Sequence, residues 1–132
     1  MKKVLIVDDD EEIIDLVSFI LENGGYHAVS ASDISGAINA VCSETPDLIV
    51  LDLMLPEGNG FKLSRLLRLI PKYKHIPIIM LTAVTYLEEK YIEQMMEIQD
   101  YITKPFDPKD FIEKINKQIS SPENDGCIPV NI

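Results

Sequence analysis

Leu48-Ile49-Val50-Leu51-Asp52 decides how this chain folds: four apolar residues in an unbroken run, closed by one carboxylate. Short continuous runs rich in Val and Ile suit strands buried on both faces, as in a parallel sheet. Three other runs share the pattern. Val4-Leu5-Ile6-Val7 leads into Asp8-Asp9-Asp10, Ile78-Ile79-Met80-Leu81 into Thr82, and Tyr101-Ile102-Thr103 into Lys104-Pro105. In open parallel sheets, ligands bind in the crevice beyond the carboxyl ends of the strands. If these four runs are neighbours, acids, a hydroxyl and an ammonium converge on one spot.

Helix-period segments separate the runs. Ile13, Leu16, Val17 and Ile20 predict a first helix, with Glu11-Glu12 at its favourable N-terminal end and Gly24-Gly25 as its stop. Tyr26 to Ala31 reads as a short strand. Ser32 or Asp33 then caps a second helix with Ile34, Ala37, Ile38 and Val41, ending before Pro46. Phe61, Leu63, Leu66, Leu67 and Ile70 predict a third, closed by Pro71, and Leu87 to Met96 a fourth. Asp107-Pro108 opens a fifth, with Phe111, Ile112, Ile115 and Ile119 on its apolar face. Strand and helix alternate five times, which predicts a doubly wound, flavodoxin-like α/β fold. Its five-stranded parallel sheet would have the order 2-1-3-4-5, with helices on both faces. That order puts Asp8-Asp9 and Asp52 at the switch point between strands one and three. Residues 1–120 form one domain in this reading, and 121–132 a tail or the start of a linker.

Bulk properties narrow the function classes. The 132 residues fit one domain with a real core, and 46% hydrophobic against 26% charged content is ordinary for a globular protein. A formal net charge of -10 argues against direct nucleic-acid binding by this domain. No stretch approaches the roughly 18 apolar residues of a membrane span. Met1-Lys2-Lys3-Val4 leaves too short an apolar segment for a signal peptide. Cys42 reads as a half-buried small apolar residue and Cys127 as a tail thiol, so a reducing cytoplasm is the natural setting. His27 and His75 lack metal-ligand spacing and read as surface residues.

Clustered carboxylates repel one another, and desolvation adds to the penalty of keeping them ionised. A divalent cation resolves that conflict, and hard oxygen ligands suit Mg²⁺, which takes one or two carboxylates and keeps several waters. Asp8-Asp9-Asp10 alone would read as a solvated, helix-capping turn. An acid that closes a buried strand needs a partner, and Asp52 therefore changes that reading. Asp10, followed by Glu11-Glu12, is the member assigned to capping. Asp52 is the candidate nucleophile, because a carboxylate can accept a phosphoryl group as an aspartyl phosphate. Such transfer demands in-line positioning and charge neutralisation. The cation, the Lys104 ammonium and the Thr82 hydroxyl would each take one phosphoryl oxygen. Proline after Lys104 fixes the chain at the strand end, and a cis bond there would aim the lysine inward. Gly58-Asn59-Gly60 reads as a flexible turn at the rim of the site.

Val-Asp-Asp-Asp at Val7 to Asp10, Leu-Asp-Leu-Met-Leu-Pro at Leu51 to Pro56, Leu-Thr-Ala at Leu81 to Ala83 and Asp-Tyr-Ile-Thr-Lys-Pro-Phe at Asp100 to Phe106 resemble the receiver domain of two-component response regulators. The resemblance covers Lys2 to about Ser120. It implies that Asp52 is phosphorylated by a phosphohistidine on a sensor histidine kinase or phosphotransfer protein. It implies Mg²⁺ held by Asp9, Asp52 and the Met54 backbone carbonyl, with Asp8 acting through water. Thr82 and Lys104 would contact the phosphoryl group, and Tyr101 would be the aromatic switch. As Thr82 is drawn toward the new charge, the Tyr101 ring would turn inward and remodel the face of the fourth helix, last strand and fifth helix. Homodimerisation through that face would involve Lys90, Tyr91 and Asp110. Glu97-Ile98-Gln99 departs from the Gly-Ala pair common in the family, which puts partner contacts there in question.

Met54 and Val84 lie two positions beyond Asp52 and Thr82, where the family flanks the water that attacks the phosphoryl group. Both are apolar, so self-dephosphorylation should be slow. The competing reading is a phosphohydrolase with an aspartyl-phosphate intermediate. Such an enzyme usually carries a second acid two residues after its nucleophile, where this chain has Met54. A flavodoxin-like cofactor carrier lacks a hydroxyl- and glycine-rich phosphate loop to support it.

Overall fold

The computed structural model describes residues 1–55, 58–82 and 100–120, with backbone alone at 54, 58, 59 and 82. In chain order these form β1 (Lys3–Val7), α1 (Glu11–Asn23), β2 (His27–Ala31), α2 (Ile34–Glu44), β3 (Leu48–Asp52), α3 (Gly60–Arg68), β4 (Ile78–Thr82), β5 (Asp100–Thr103) and α4 (Pro108–Ser120). A two-residue antiparallel pair, Met54–Leu55 with Gly58–Asn59, links β3 to α3. The five strands are parallel in the order β2-β1-β3-β4-β5, the expected doubly wound arrangement. The helix expected over 87–96, the loop at 97–99, Ala83, Val84 and the tail from residue 121 lie outside the described residues.

Alternation along the central strands makes two cores. Leu5, Val7, Ile49, Leu51, Ile78 and Met80 face α2 and α3, where they meet Ile34, Ala37, Val41, Phe61, Leu63 and Leu67. Val4, Ile6, Leu48, Val50, Ile79 and Leu81 face α1 and α4, where they meet Val17, Ile20, Leu21, Phe111 and Ile115. Every side chain of Val4 to Val7 and Leu48 to Leu51 is fully buried, as unbroken apolar runs in a sandwiched sheet require.

The helix ends follow their local chemistry. Asp10 caps α1, its side chain accepting from the Glu12 amide at 2.9 Å, so the capping role expected of it is met. Gly25 ends the turn after α1 at φ 91, a conformation that favours glycine. Asp33, not Ser32, caps α2 by accepting from the Gly36 amide at 2.7 Å. That helix closes at Glu44 with Thr45 in the left-handed region, ahead of Pro46.

Three packing details depart from the sequence reading. Leu16 is 45% exposed, and the stripe of α1 that enters the core is Val17, Ile20 and Leu21. Helix α3 stops at Arg68, two residues short of Ile70, because the residue before Pro71 is biased away from helix; the chain continues in i to i+3 turns from Leu66 to Tyr73. Cys42 is exposed on the outer side of α2, not half-buried. His27 and His75 are exposed, as expected.

Candidate functional site

Strand register assembles the site. Val7 pairs with Leu51, which sets Asp8 level with Asp52, the last residue of β3. Asp52 pairs with Leu81, Leu81 with Ile102, and Thr82 with Thr103, so Thr82 and Lys104 lie one step further along. Parallel strands in register therefore deliver residues 8, 52, 82 and 104 to the same edge of the sheet. The chain places them there without any special loop, since each functional residue directly ends or follows a buried run.

The side chains then converge. Asp8 is fully buried and Asp52 is 6% exposed, whereas Asp9 is exposed. One carboxylate oxygen from each of Asp8, Asp9 and Asp52 lies within 4.8 Å of the others. The Lys104 ammonium donates to Asp8 Oδ2 at 3.0 Å and stands 3.8 Å from Asp52 Oδ2. Asp8 is fixed from its other side too: Oδ1 accepts from the Asp10 amide at 2.9 Å, and its own amide donates to the Ala31 carbonyl at 3.1 Å. The Lys104–Pro105 peptide bond is cis.

Among the described residues, three carboxylates, two of them withdrawn from water, gather beside the Lys104 ammonium, and a divalent cation would add positive charge to them. An all-oxygen donor set of this kind fits a hard ion such as Mg²⁺. Thr82 is placed by its backbone beside Thr103, and its hydroxyl lies outside the described residues. Met54 begins the short antiparallel pair directly past Asp52, and Leu53 between them is held by its amide to the Leu81 carbonyl at 3.3 Å. Tyr101 lies on β5 and is 53% exposed.

Gly60 is the residue that the sequence reading undervalued. A Cβ at this position would collide with the backbone carbonyl of Asp52 and press on the Leu51 side chain at 3.1 Å. The start of α3 thus lies directly against the end of β3, and only glycine permits that approach. The Gly58-Asn59-Gly60 sequence signalled a turn, but nothing local in it points to a contact with Asp52.

Comparison with known proteins agrees with this geometry. The family model for the response regulator receiver domain matches residues 4–116. The phosphate regulon transcriptional regulatory protein PhoB of Klebsiella pneumoniae is 39% identical over 114 residues, 86% of this chain and 50% of the relative. The chain spans about half the length of the curated relatives it matches. A response regulator structure from Chloroflexus aurantiacus superposes with TM-score 0.83 at 28% identity, covering 91% of this chain and 98% of that one. TrrA of Thermotoga maritima, solved in complex with Mg²⁺-BeF, superposes with TM-score 0.77 at 29% identity, covering 89% and 98%. Among the described residues no helix is long and apolar enough to cross a membrane. With the fold, the acidic edge and these matches in agreement, the chain belongs to the response regulator receiver domain family, the phosphorylation-activated signalling receivers of two-component systems.

Proposed function

We propose that Asp52 is the phosphoacceptor of this receiver and that Asp8, Asp9 and Lys104 serve its phosphorylation. The observation that carries this reading is the meeting of three carboxylates within 4.8 Å of one another, with one ammonium 3.0 and 3.8 Å from two of them. An Asp52 oxygen attacks the phosphorus, and the bond to the donor breaks with its electron pair leaving on the donor, a phosphohistidine nitrogen of a sensor kinase or phosphotransfer protein. Residues Asp9 and Asp52 and the Met54 carbonyl would hold Mg²⁺, with Asp8 acting through water. When bound, that ion supplies charge neutralisation to the phosphoryl group. Lys104 sits close enough to Asp52 to pair with a new anionic oxygen, and leaves Asp8 to do so. Thr82 takes another oxygen, and its movement lets the Tyr101 ring turn inward, which alters the face of β5 and α4. That face is the candidate for homodimerisation.

The relatives' names, as transcriptional regulatory proteins, support a transcriptional output. The acidic domain itself, at -10, would act through another segment or partner and not through DNA. Incubation of the protein with acetyl phosphate and Mg²⁺, followed by intact mass, tests the acceptor. One phosphate adduct is expected in the wild type and none in Asp52→Asn; an undiminished adduct in Asp52→Asn overturns the assignment, and continuous turnover of a phosphate ester would make the chain a hydrolase instead. The apolar Met54 and Val84 give the attacking water nothing to bond to. The adduct should accordingly persist for minutes or longer in a time course, and decay within seconds would remove that reading.

A further inference from the structure

Lys114 on α4 has no part in the acidic cluster, and among the described residues its polar and ring contacts fall on two residues of β5. Its ammonium donates to Asp100 Oδ1 at 3.1 Å and to the Tyr101 carbonyl at 3.2 Å, and stands 5.8 Å from the centre of the Tyr101 ring. The same Asp100 oxygen accepts the Tyr101 amide at 2.8 Å. Amide, carbonyl and ring of one residue are thus gathered around a single carboxylate–ammonium pair, while Tyr101 as a whole is 53% exposed.

We propose that Lys114 is a positioning residue that holds the Tyr101 ring outward and so sets how often the unphosphorylated domain visits its active form. The proposal rests on the switch reading given above. Two of the three contacts go to Asp100 and to the backbone, and they survive when the ring turns. The third, between ammonium and ring face, exists only with the ring out. Only such a differential contact can bias an equilibrium. At a partly exposed site a cation over an aromatic ring is worth a factor of about two to five in population. Asp100 serves by keeping the ammonium in place over the ring.

Nuclear magnetic resonance on the 132-residue protein with isotope-labelled tyrosine rings tests this, the Tyr101 signal being identified by its loss in Tyr101→Phe. Wild type, Lys114→Gln and Lys114→Arg are compared at rest and with Mg²⁺ and beryllofluoride, a phosphoryl stand-in. The wild-type signal should move when beryllofluoride is added. In Lys114→Gln the resting signal should already lie part of the way there, with the inward population raised about two- to fivefold. In Lys114→Arg, which keeps a cation that stacks on rings, it should return toward wild type. Should Lys114→Gln fold poorly, Asp100→Asn releases the ammonium and must shift the signal the same way. A resting signal unchanged in Lys114→Gln and Asp100→Asn, with the wild type still responding to beryllofluoride, overturns the role of Lys114 and leaves the switch standing. A wild-type signal that ignores bound beryllofluoride overturns the switch, and this inference with it.

Discussion

Two lysines flank β5, each beside an aspartate at nearly the same distance: Lys104 and Asp8 at 3.0 Å, Lys114 and Asp100 at 3.1 Å. Their surroundings differ. The first pair has side-chain exposures of 19% and 1%, the second 39% and 23%. A partly exposed pair gains little, because water and salt screen the attraction and two long side chains lose freedom. A buried pair gains more Coulomb energy but also bears desolvation, so its weight appears mainly when one partner is removed. Equal geometry therefore implies unequal roles. Beyond the carboxyl ends of β1 and β3, the Lys104 ammonium compensates buried carboxylates; on the outer side of β5, Lys114 adjusts the position of a ring.

Removing each partner in turn can break this contrast. The largest effect is expected in Lys104→Met, which takes the Lys104 ammonium away from the buried Asp8 and Asp52 carboxylates. Denaturant unfolding should show a loss of about 2–4 kcal/mol, and saturating Mg²⁺ should restore much of it by supplying positive charge to the same carboxylates. A loss that Mg²⁺ fails to mend would mean that Lys104 contributes by packing and not by charge. Next comes Gly60→Ala, where the added methyl meets the Asp52 carbonyl; thermal unfolding should report a destabilisation of about 1–3 kcal/mol. An unaltered melting point there would show the end of β3 to be looser than its burial implies. The smallest effect belongs to the edge: Asp100→Asn should change stability by less than about 1 kcal/mol, and less still in high salt. A larger change would make the two pairs alike and remove the contrast.

The parts that could be read in advance share one cause. Val4 to Val7 and Leu48 to Leu51 are apolar without interruption because both sheet faces are covered, and a parallel sheet aligns their carboxyl ends. The convergence of Asp8, Asp52 and Lys104 followed from that together with the alternation of strand and helix, on which the strand order rested. Contacts between elements far apart in the chain carry no such local signature. Gly60 against the Asp52 carbonyl and Lys114 over Tyr101 depend on how helices seat on the sheet, which residue types and spacing do not encode locally. Leu16 misled for a related reason: a helix with apolar residues on more than one side leaves the choice of buried stripe to its neighbours, and α4 and the sheet select Val17, Ile20 and Leu21.

The paired side chains around Tyr101 also bear on what can join the sheet at β5. Open sheet margins invite foreign chains to zip on through backbone hydrogen bonds. Here the amide and carbonyl of Tyr101 are already engaged, by Asp100 and Lys114. A strand arriving at Tyr101 would find charge and an aromatic ring where free backbone groups would otherwise stand, so pairing at that residue is already pre-empted.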